Sequence, residues 1–284
     1  MANKTTPLTI LDRPNSYIGR SLSREGAKRA VAGRGRYTDD ISLPRMLHAA
    51  FVRSPYAHAK ILAVNVDEAR QQPEVTLVMT ATELQELCTG PWIGTLSSFE
   101  GMKSAPQYPM AIERACWQGE PIVMVVASSR AAAEDAAEFV IIEYEELPVV
   151  ADKETALDPE CPIIHPELGD NLAFRKIIDN GDVKQGLADA DILIEETFEF
   201  GRHTAVSLET SALLADYSKA DGHLRLYTSS QVPHMIQAVF ARTLGLPEHN
   251  VRIIAPDVGG SFGLKIHSYG DEVATTAASI NLGR

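Results

Sequence analysis

The first half of the chain alternates between short apolar runs and polar segments. Runs of five to seven residues rich in Val, Ile and Leu, bounded by turn residues, are typical of β-strands. Thr80 followed by Glu83 is a capping-box pattern, so a helix is predicted to begin there and to end near Cys88. Ser128 is predicted to cap an Ala- and Glu-rich helix over residues 129–139. The strands predicted in this half are residues 47–52, 61–66, 75–79, 121–127 and 140–144.

In the second half, Asp182 is predicted to cap a short helix that ends at Ala190. Residues 191–200 are predicted to form a long strand, because apolar residues alternate along it. Gly245 fits a left-handed C-terminal cap of a helix. The alternating residues of the long strand are Ile192, Ile194, Phe198 and Phe200; the other predicted elements are strands at 224–228 and 251–255, a helix at 234–244 and a helix from Asp271 onward.

This order of elements predicts an α+β (mixed α/β) fold. The strand at 121–127, the helix after it and the strand at 140–144 indicate a local βαβ unit. Residues 149–166 are rich in Pro and acids, and we interpret them as a domain junction. The last helix stops at Arg284 without a polar tail, so we expect it to pack against further polypeptide.

Composition narrows the functional classes. The chain has 284 residues, 45% of them hydrophobic, and a net charge of −12 with the acids scattered. A nucleic-acid partner would need clustered Lys and Arg, so none is expected. No apolar run approaches the roughly 20 residues that span a bilayer, and no secretory signal is visible. The three scattered cysteines favour a reducing, cytoplasmic setting.

The cysteines and histidines do not form a metal motif. Cys88, Cys116 and Cys161 are far apart and lack CxxC spacing, which argues against disulfides and iron–sulfur ligation in this chain. The eight histidines show no HExxH spacing. We therefore expect no metal ligated directly by these side chains.

A glycine-rich segment follows the predicted strand at 251–255. Gly259, Gly260 and Gly263 fall within five residues, GGSFG. Glycines permit positive φ and close approach of the backbone to a ligand, and successive N–H groups in such a loop can bind an anion. The pattern is neither a dinucleotide fingerprint nor a P-loop. On these residues alone, a tight structural turn explains the pattern equally well.

A polar cluster, SSQVPH, lies between the strand at 224–228 and the following helix. Hydroxyl and amide groups at the end of a strand and the start of a helix suit contacts with a polar ligand. Considered alone, the cluster fits a helix cap better than a ligand site. Its amide residue, Gln231, lies thirty-one residues before Phe262 of the glycine-rich segment.

These motifs together resemble the molybdenum-binding large subunit of the xanthine dehydrogenase, aldehyde oxidase and aerobic carbon-monoxide dehydrogenase family. Glu209 of the LET segment lies twenty-two residues before Gln231, as the family's comparable acidic segment does. The resemblance extends from about Ile18 onward. Its other motifs are residues 33–40 (GRGRYTDD), residues 48–58 (HAAFVRSPYAH) and residues 119–122 (GEPI).

The resemblance implies three parts of the chain and a set of site residues. Residues 1–26 would be an N-terminal arm, 27–150 an α/β hammerhead domain and 151–284 the incomplete first part of a molybdenum-cofactor-binding domain. Phe262 and Glu209 would lie at the substrate pocket. Gln231, near an oxo ligand of molybdenum, would bind the cofactor together with Gly259, Gly260, Ser261, Phe262 and Gly263.

Two positions depart from the family pattern. Ser261 stands where many members have a further glycine, which affects the fine geometry of the loop. Ile266 stands four positions beyond Phe262, where purine-oxidising members tend to carry an acid. Since Ile266 cannot hydrogen-bond a purine, an aldehyde, another N-heterocycle or carbon monoxide fits better.

The implied reaction is hydroxylation with oxygen from water, and the cofactor supplies the difficult chemistry. The implied cofactor is molybdopterin, in its cytosine dinucleotide form, with FAD and 2Fe–2S clusters on partner subunits and a second chain as a further candidate partner. The family's base glutamate would lie beyond this chain, which is expected to be inactive alone. Glu209 fits a structural carboxylate better than a substitute base.

Two other hypotheses compete with a hydroxylase component. One is an inert truncated or assembly module of such a complex, which leaves Gln231 and the glycine-rich segment without a purpose. The other is an unrelated anion- or nucleotide-binding α/β protein, which does not explain the motifs of the first half. Cofactor content separates these hypotheses.

Overall fold

The computed structural model describes residue 17, residues 21–91 and residues 101–284. This part of the chain forms nine β-strands and seven α-helices. The strands are β1 (His48–Arg53), β2 (Ala59–Asn65), β3 (Val75–Thr80), β4 (Arg114–Ala115), β5 (Pro121–Ala127), β6 (Ile141–Glu146), β7 (Leu213–Ser218), β8 (His223–Thr228) and β9 (Val251–Ile254). The helices are α1 (Glu25–Val31), α2 (Asp67–Gln71), α3 (Ala81–Gln85), α4 (Arg130–Ala137), α5 (Val183–Ala188), α6 (Pro233–Thr243) and α7 (Gly270–Leu282).

The first sheet has the order β1-β5-β3, and both pairings are antiparallel. All seven residues of the central strand β5 are buried. Successive side chains of a strand point to opposite faces of its sheet. Met124 and Val126 accordingly belong to one core cluster, whereas Val123 and Val125 belong to another. A continuous apolar run in β5 is what a strand covered on both faces requires.

The second sheet has the order β4-β2-β6, again antiparallel. The prediction of a local βαβ unit from β5 to β6 was therefore wrong, because these two strands belong to different sheets. The physical reason is that β1 and β3 already occupy both hydrogen-bonding edges of β5. The chain leaving α4 instead pairs with β2.

The third sheet contains a parallel pair of strands joined by a crossover helix. Its order is β7-β8-β9, with β7 antiparallel and β9 parallel to β8. Helix α6 connects β8 to β9, as a parallel pair requires. Consequently the carboxyl ends of β8 and β9 lie side by side, with Tyr227 paired with Ile254.

The two halves of the chain share one core. A single cluster of buried apolar side chains joins sheet one, sheet three and helices α6 and α7. Burial of apolar side chains is the dominant favourable contribution to folding. Its large members include Met79, Leu84, Met110, Met124, Leu224, Leu226, Phe240 and Val273.

Several predicted helix ends are confirmed. Thr80 and Glu83 form the capping box of α3, with the Thr80 N–H donating to the Glu83 carboxylate over 2.8 Å. Asp182 caps α5, and Gly245, at φ +65°, lies directly after the last turn of α6. The predicted Ser128 cap was wrong by one residue: Ser129 accepts the capping bond from Ala132, while the Ser128 hydroxyl donates to Glu74.

The long strand predicted at residues 191–200 is absent. This segment has no strand pairing with the part of the chain that the structure describes, and every one of its residues is exposed. An isolated extended segment leaves its backbone groups to water and buries no side chain, so alternation alone does not make a strand. Strand β7 and helix α2, which the pattern did not predict, form where they have packing partners: β7 pairs with β8, and α2 packs on β3 through the buried Ala69. Helix α1, also not predicted, is exposed at residues 26–31.

Candidate functional site

The glycine-rich segment and Gln231 are brought together by the parallel pair β8 and β9. Gln231 lies three residues beyond the end of β8, and Gly259 lies five residues beyond the end of β9. Ligands of α/β proteins commonly bind outside the carboxyl ends of parallel strands. The predicted juxtaposition of these two motifs therefore has a simple topological cause.

The carboxamide of Gln231 is held by the glycine-rich segment. Its Oε1 accepts hydrogen bonds from the Ser261 hydroxyl and from the Gly263 backbone N–H, the latter at 3.3 Å. Because a backbone N–H can only donate, the bond from Gly263 decides which end of the carboxamide is the oxygen. The Nε2 group has no acceptor among the described residues, so it remains available to donate to a ligand.

The backbone of residues 260–263 has an anion-binding shape. Gly260, Phe262 and Gly263 have φ values of +99°, +51° and +97°. Within the described ranges, the N–H groups of Gly260, Ser261 and Phe262 donate to no protein acceptor. Successive free N–H groups in such alternating conformations form a concave site for an anion or an oxo group.

Phe262 is the least protected aromatic of the site. Its side chain is 79% exposed, and its left-handed backbone is uncommon for a residue with a Cβ. A Cβ added at Gly260 would lie 2.8 Å from a ring carbon of Phe262. Glycine at position 260 is therefore required for the loop to fold back under this ring. Strained backbone of this kind clusters at ligand sites.

Glu209 lies under the glycine-rich segment. Its Oε2 accepts from the Gly259 N–H and from the Lys265 ammonium, both at 2.7 Å. The Glu209 N–H in turn donates to the Gly259 carbonyl over 3.2 Å. A Cβ at Gly259 would collide with the Cβ of Glu209, so the close approach needs glycine.

The start of the same segment is anchored to the amino-terminal half. Asp257 forms an ion pair with Arg29 of α1 and accepts from the Arg36 N–H at 2.7 Å. Its own N–H donates to the Arg36 carbonyl over 3.0 Å. The hydrogen bond from Arg29 lowers the pKa of Asp257. The segment is thus fixed before the glycines by Arg29 and Arg36. Glu209 fixes it at the first glycine, Gly259, and, through Lys265, after the last one.

The structure brings all the predicted site residues into one region. Gln231 and Ser261 contact each other directly, and Glu209 contacts Gly259. The sequence did not single out Lys265 or Asp257. A lysine at the end of a loop is normally solvated, and its burial depends on a carboxylate fifty-six residues away.

In the described ranges, which omit residues 92–100 and most of the first twenty, His, Cys, Asp and Glu nowhere group in threes so as to hold a metal ion. None of the helices in that same part of the chain combines the length and the apolar character needed to cross a bilayer.

Family comparisons identify the two halves. Residues 32–148 match the family model described as aldehyde oxidase and xanthine dehydrogenase, a/b hammerhead domain. Residues 164–284 match the model described as molybdopterin cofactor-binding domain. The chain belongs to the xanthine dehydrogenase and aldehyde oxidase family of molybdenum hydroxylases. The mixed fold of a hammerhead domain followed by cofactor-binding sequence, expected from the family motifs, is confirmed.

Family members with known roles resemble the whole chain. The nicotine 6-hydroxylase large subunit of Paenarthrobacter nicotinovorans is 35% identical and covers 96% of it, and the carbon monoxide dehydrogenase large chain of Afipia carboxidovorans is 33% identical and covers 98%. The crystal structure of quinoline 2-oxidoreductase from Pseudomonas putida 86 superposes with a TM-score of 0.87 at 36% identity over 94% of the chain. The chain spans only about a third of the length of these family members, 34–36%.

The residues present fit the cofactor that the family implies. Free N–H groups at Gly260 to Phe262 and the free Nε2 of Gln231 are donors, which suits oxo and other anionic acceptors. Gly259 and Gly260 allow Glu209 and the Phe262 ring to lie against the loop, in space that a Cβ would fill. The donor set is therefore appropriate for a group of the molybdopterin type.

Proposed function

We propose that this chain forms the cofactor-binding front part of a molybdenum hydroxylase. The observation that carries the proposal is that Gln231 is hydrogen-bonded to the loop in which the N–H groups of Gly260, Ser261 and Phe262 donate to no described acceptor. Gln231 would donate to an oxo group, Gly260, Ser261 and Phe262 would donate from the backbone, and Gly259 and Gly263 would allow the close approach. Donors already oriented in the folded protein stabilise developing negative charge without reorganising.

When bound, molybdopterin supplies the redox chemistry that inserts oxygen from water into the substrate. The chain's own residues would orient the cofactor and enclose the substrate. Phe262 would form one wall of the substrate pocket, and Ile266 would present an apolar side chain near it. We propose an aldehyde, carbon monoxide or, first among the three, an aromatic N-heterocycle. The similarity to nicotine 6-hydroxylase and quinoline 2-oxidoreductase supports that order.

The assembly proposed is that of a multi-subunit cytoplasmic enzyme. FAD and 2Fe–2S clusters would reside on partner subunits, since the three cysteines of this chain are scattered. The cofactor is proposed to be the cytosine dinucleotide form. The base glutamate is expected in polypeptide equivalent to the remaining length of the family members, so this chain alone is expected to be inactive.

A run of exposed apolar side chains supports contact between this chain and further polypeptide of such an enzyme. Between residues 177 and 208 many large apolar side chains are exposed, well beyond the scattered single residues normal for a protein surface. Their alternation at residues 192–200 would suit addition to a sheet edge. The exposed set is Ile177, Ile178, Val183, Leu187, Ile192, Leu193, Ile194, Phe198, Phe200, Val206 and Leu208.

The test is to purify the complex containing this chain from its native cells and to measure its metals, pterin and subunits. We expect about one molybdenum atom per copy, a pterin nucleotide, and flavin and iron in co-purifying chains. A stable complex without molybdenum, obtained from cells supplied with molybdate, would contradict the proposal and favour an inert assembly module. Candidate substrates are then compared by the rate at which each reduces the flavin.

A further inference from the structure

Lys265 connects three separate parts of the candidate site. Its ammonium donates to Glu209 Oε2 at 2.7 Å, and its backbone N–H donates to the Ser261 hydroxyl at 3.2 Å. Its carbonyl accepts from the Gln231 N–H at 3.1 Å and from the Ser230 hydroxyl at 3.3 Å. One residue thus bonds to the glycine-rich segment, to the Gln231 segment and to Glu209.

The ion pair of Lys265 is unusual in its burial. The Lys265 side chain is 1% exposed and that of Glu209 is 13% exposed. A buried ammonium is costly unless it is paired and hydrogen-bonded, and the same holds for a buried carboxylate. Removing one partner leaves the other as an uncompensated charge, which forces the surrounding backbone to move or admit water. The position of the glycine-rich segment therefore depends on both partners being present.

We propose that Glu209 and Lys265 are a positioning pair that fixes the distance between Gln231 and the glycine-rich segment. The inference rests on the function proposed above. It differs from the role at the substrate pocket that the family resemblance implied for Glu209, because it has Glu209 act on the loop itself. Glu209 holds Gly259, immediately before the free N–H groups. Lys265 holds Ser261 and Gln231, which carry the remaining polar contacts of the site.

The alternative role for Glu209 is direct contact with the cofactor. Its Oε1 is buried and accepts no hydrogen bond from the described residues, so the carboxylate retains one acceptor. A direct contact and a positioning pair make different predictions for loop exchange measured without cofactor. If Glu209 contacts only the cofactor, Glu209→Gln should lower cofactor content without changing that exchange. If the pair positions the loop, Glu209→Gln and Lys265→Met should both raise it.

The test uses Glu209→Gln, Lys265→Met and the double variant, each in the full chain. Gln keeps an acceptor for the Gly259 N–H, and Met keeps the apolar stem of the lysine. Asp216→Asn is the control, because it breaks an exposed ion pair with Arg225 on sheet three, 3.7 Å long, outside the site. Hydrogen exchange of the amides of residues 259–265 is measured on each chain without cofactor, and molybdenum and pterin content on each native complex.

We expect each single variant to raise loop exchange by about tenfold or more, with β8 amides unchanged. Molybdenum and pterin content should fall together in the same variants. The double variant should also remain altered in both measurements, because the contact between the two side chains is still missing, whereas the control should stay within about twofold of wild type. Where a single variant does not fold, the double variant, which buries no unpaired charge, should fold and still show the faster loop exchange.

Two outcomes would overturn the pair. Single variants whose loop exchanges like wild type would show that the ion pair does not position it. If Glu209→Gln in that case still loses molybdenum, Glu209 contacts the cofactor directly. A double variant that returns to wild-type exchange would show that the single variants acted through an unpaired buried charge and not through lost positioning. A wild-type complex without molybdenum would instead contradict the proposed function, while the exchange comparison, made without cofactor, would still decide the role of the pair.

Discussion

Two segments whose sequences both predict a β-strand, one continuously apolar and one alternating, differ completely in burial. Strand β5 is buried along its whole length, between β1 and β3. Residues 191–200, equally promising as a strand, are exposed throughout, with Phe198 81% and Phe200 87% exposed. The difference teaches that an apolar pattern only makes a segment suitable for a β-strand. The strand forms where a neighbouring strand has an unpaired edge to which the segment can hydrogen-bond.

The largest effect should come from placing a charge in the packed segment. Val125, at the centre of β5, is fully buried between the two core faces. Val125→Asp would bury a carboxylate with no partner, which we expect to lower the free energy of unfolding by about 5 kcal/mol or to prevent folding. Urea unfolding followed by circular dichroism measures it. A loss below about 2 kcal/mol would mean that β5 can move its side chains to water.

A cavity in the core shared by the two halves should have the next largest effect. Phe240 of α6 is fully buried in the cluster that joins sheet one to sheet three. Phe240→Ala should lower the free energy of unfolding by about 3–5 kcal/mol. The transition should remain single, because both halves use this cluster. Two separate transitions in the variant would contradict a shared core.

The stability of the buried region around β5 should depend on pH, because Glu120, the residue before this strand, is buried. Burial raises the pKa of Glu120 to about 7, although its carboxylate accepts from the Cys116 N–H. In the unfolded chain the pKa is about 4.3. The folded protein therefore holds this proton more tightly, and its contribution to stability is lost as pH rises from about 4.3 towards 7.

Glu120→Gln should remove that part of the pH dependence. The difference in unfolding free energy between wild type and the variant should change by up to about 3 kcal/mol between pH 4.5 and 8. Chemical denaturation at a series of pH values measures it. Parallel pH profiles for the two proteins would show that Glu120 is not titrating in this range.

The smallest effect is expected in the exposed segment. Ile194→Ser should change the free energy of unfolding of the isolated chain by less than about 0.5 kcal/mol, since the side chain is already in water. Hydrogen exchange of residues 191–200 should be fast in the isolated chain and slow in the native complex. A loss approaching that of Val125→Asp would mean that the segment is packed within this chain after all.

The sequence predicted more of the site than of the fold around it. Helix caps at Thr80, Asp182 and Gly245 were found because each is a local pattern with a local physical cause. The pairing of β6 with β2 was missed, because strand order depends on which edges are already occupied. Lys265 was missed for a related reason: nothing near it in the sequence shows that Glu209 will cover it.

The sequence alone determined the local elements and the ordered motifs that point to the family, because caps, glycines and apolar periodicity act over a few residues. It also identified Gln231 and the glycine-rich segment as belonging to one site. Only the tertiary structure decided which apolar runs became strands. It also decided that Glu209 bonds to Gly259 and Lys265 of the loop and that Arg29 pairs with Asp257. Those outcomes depend on strand pairing, burial and ion pairs between residues that are far apart in the chain. These interactions contribute to stability only when folding has brought both partners together.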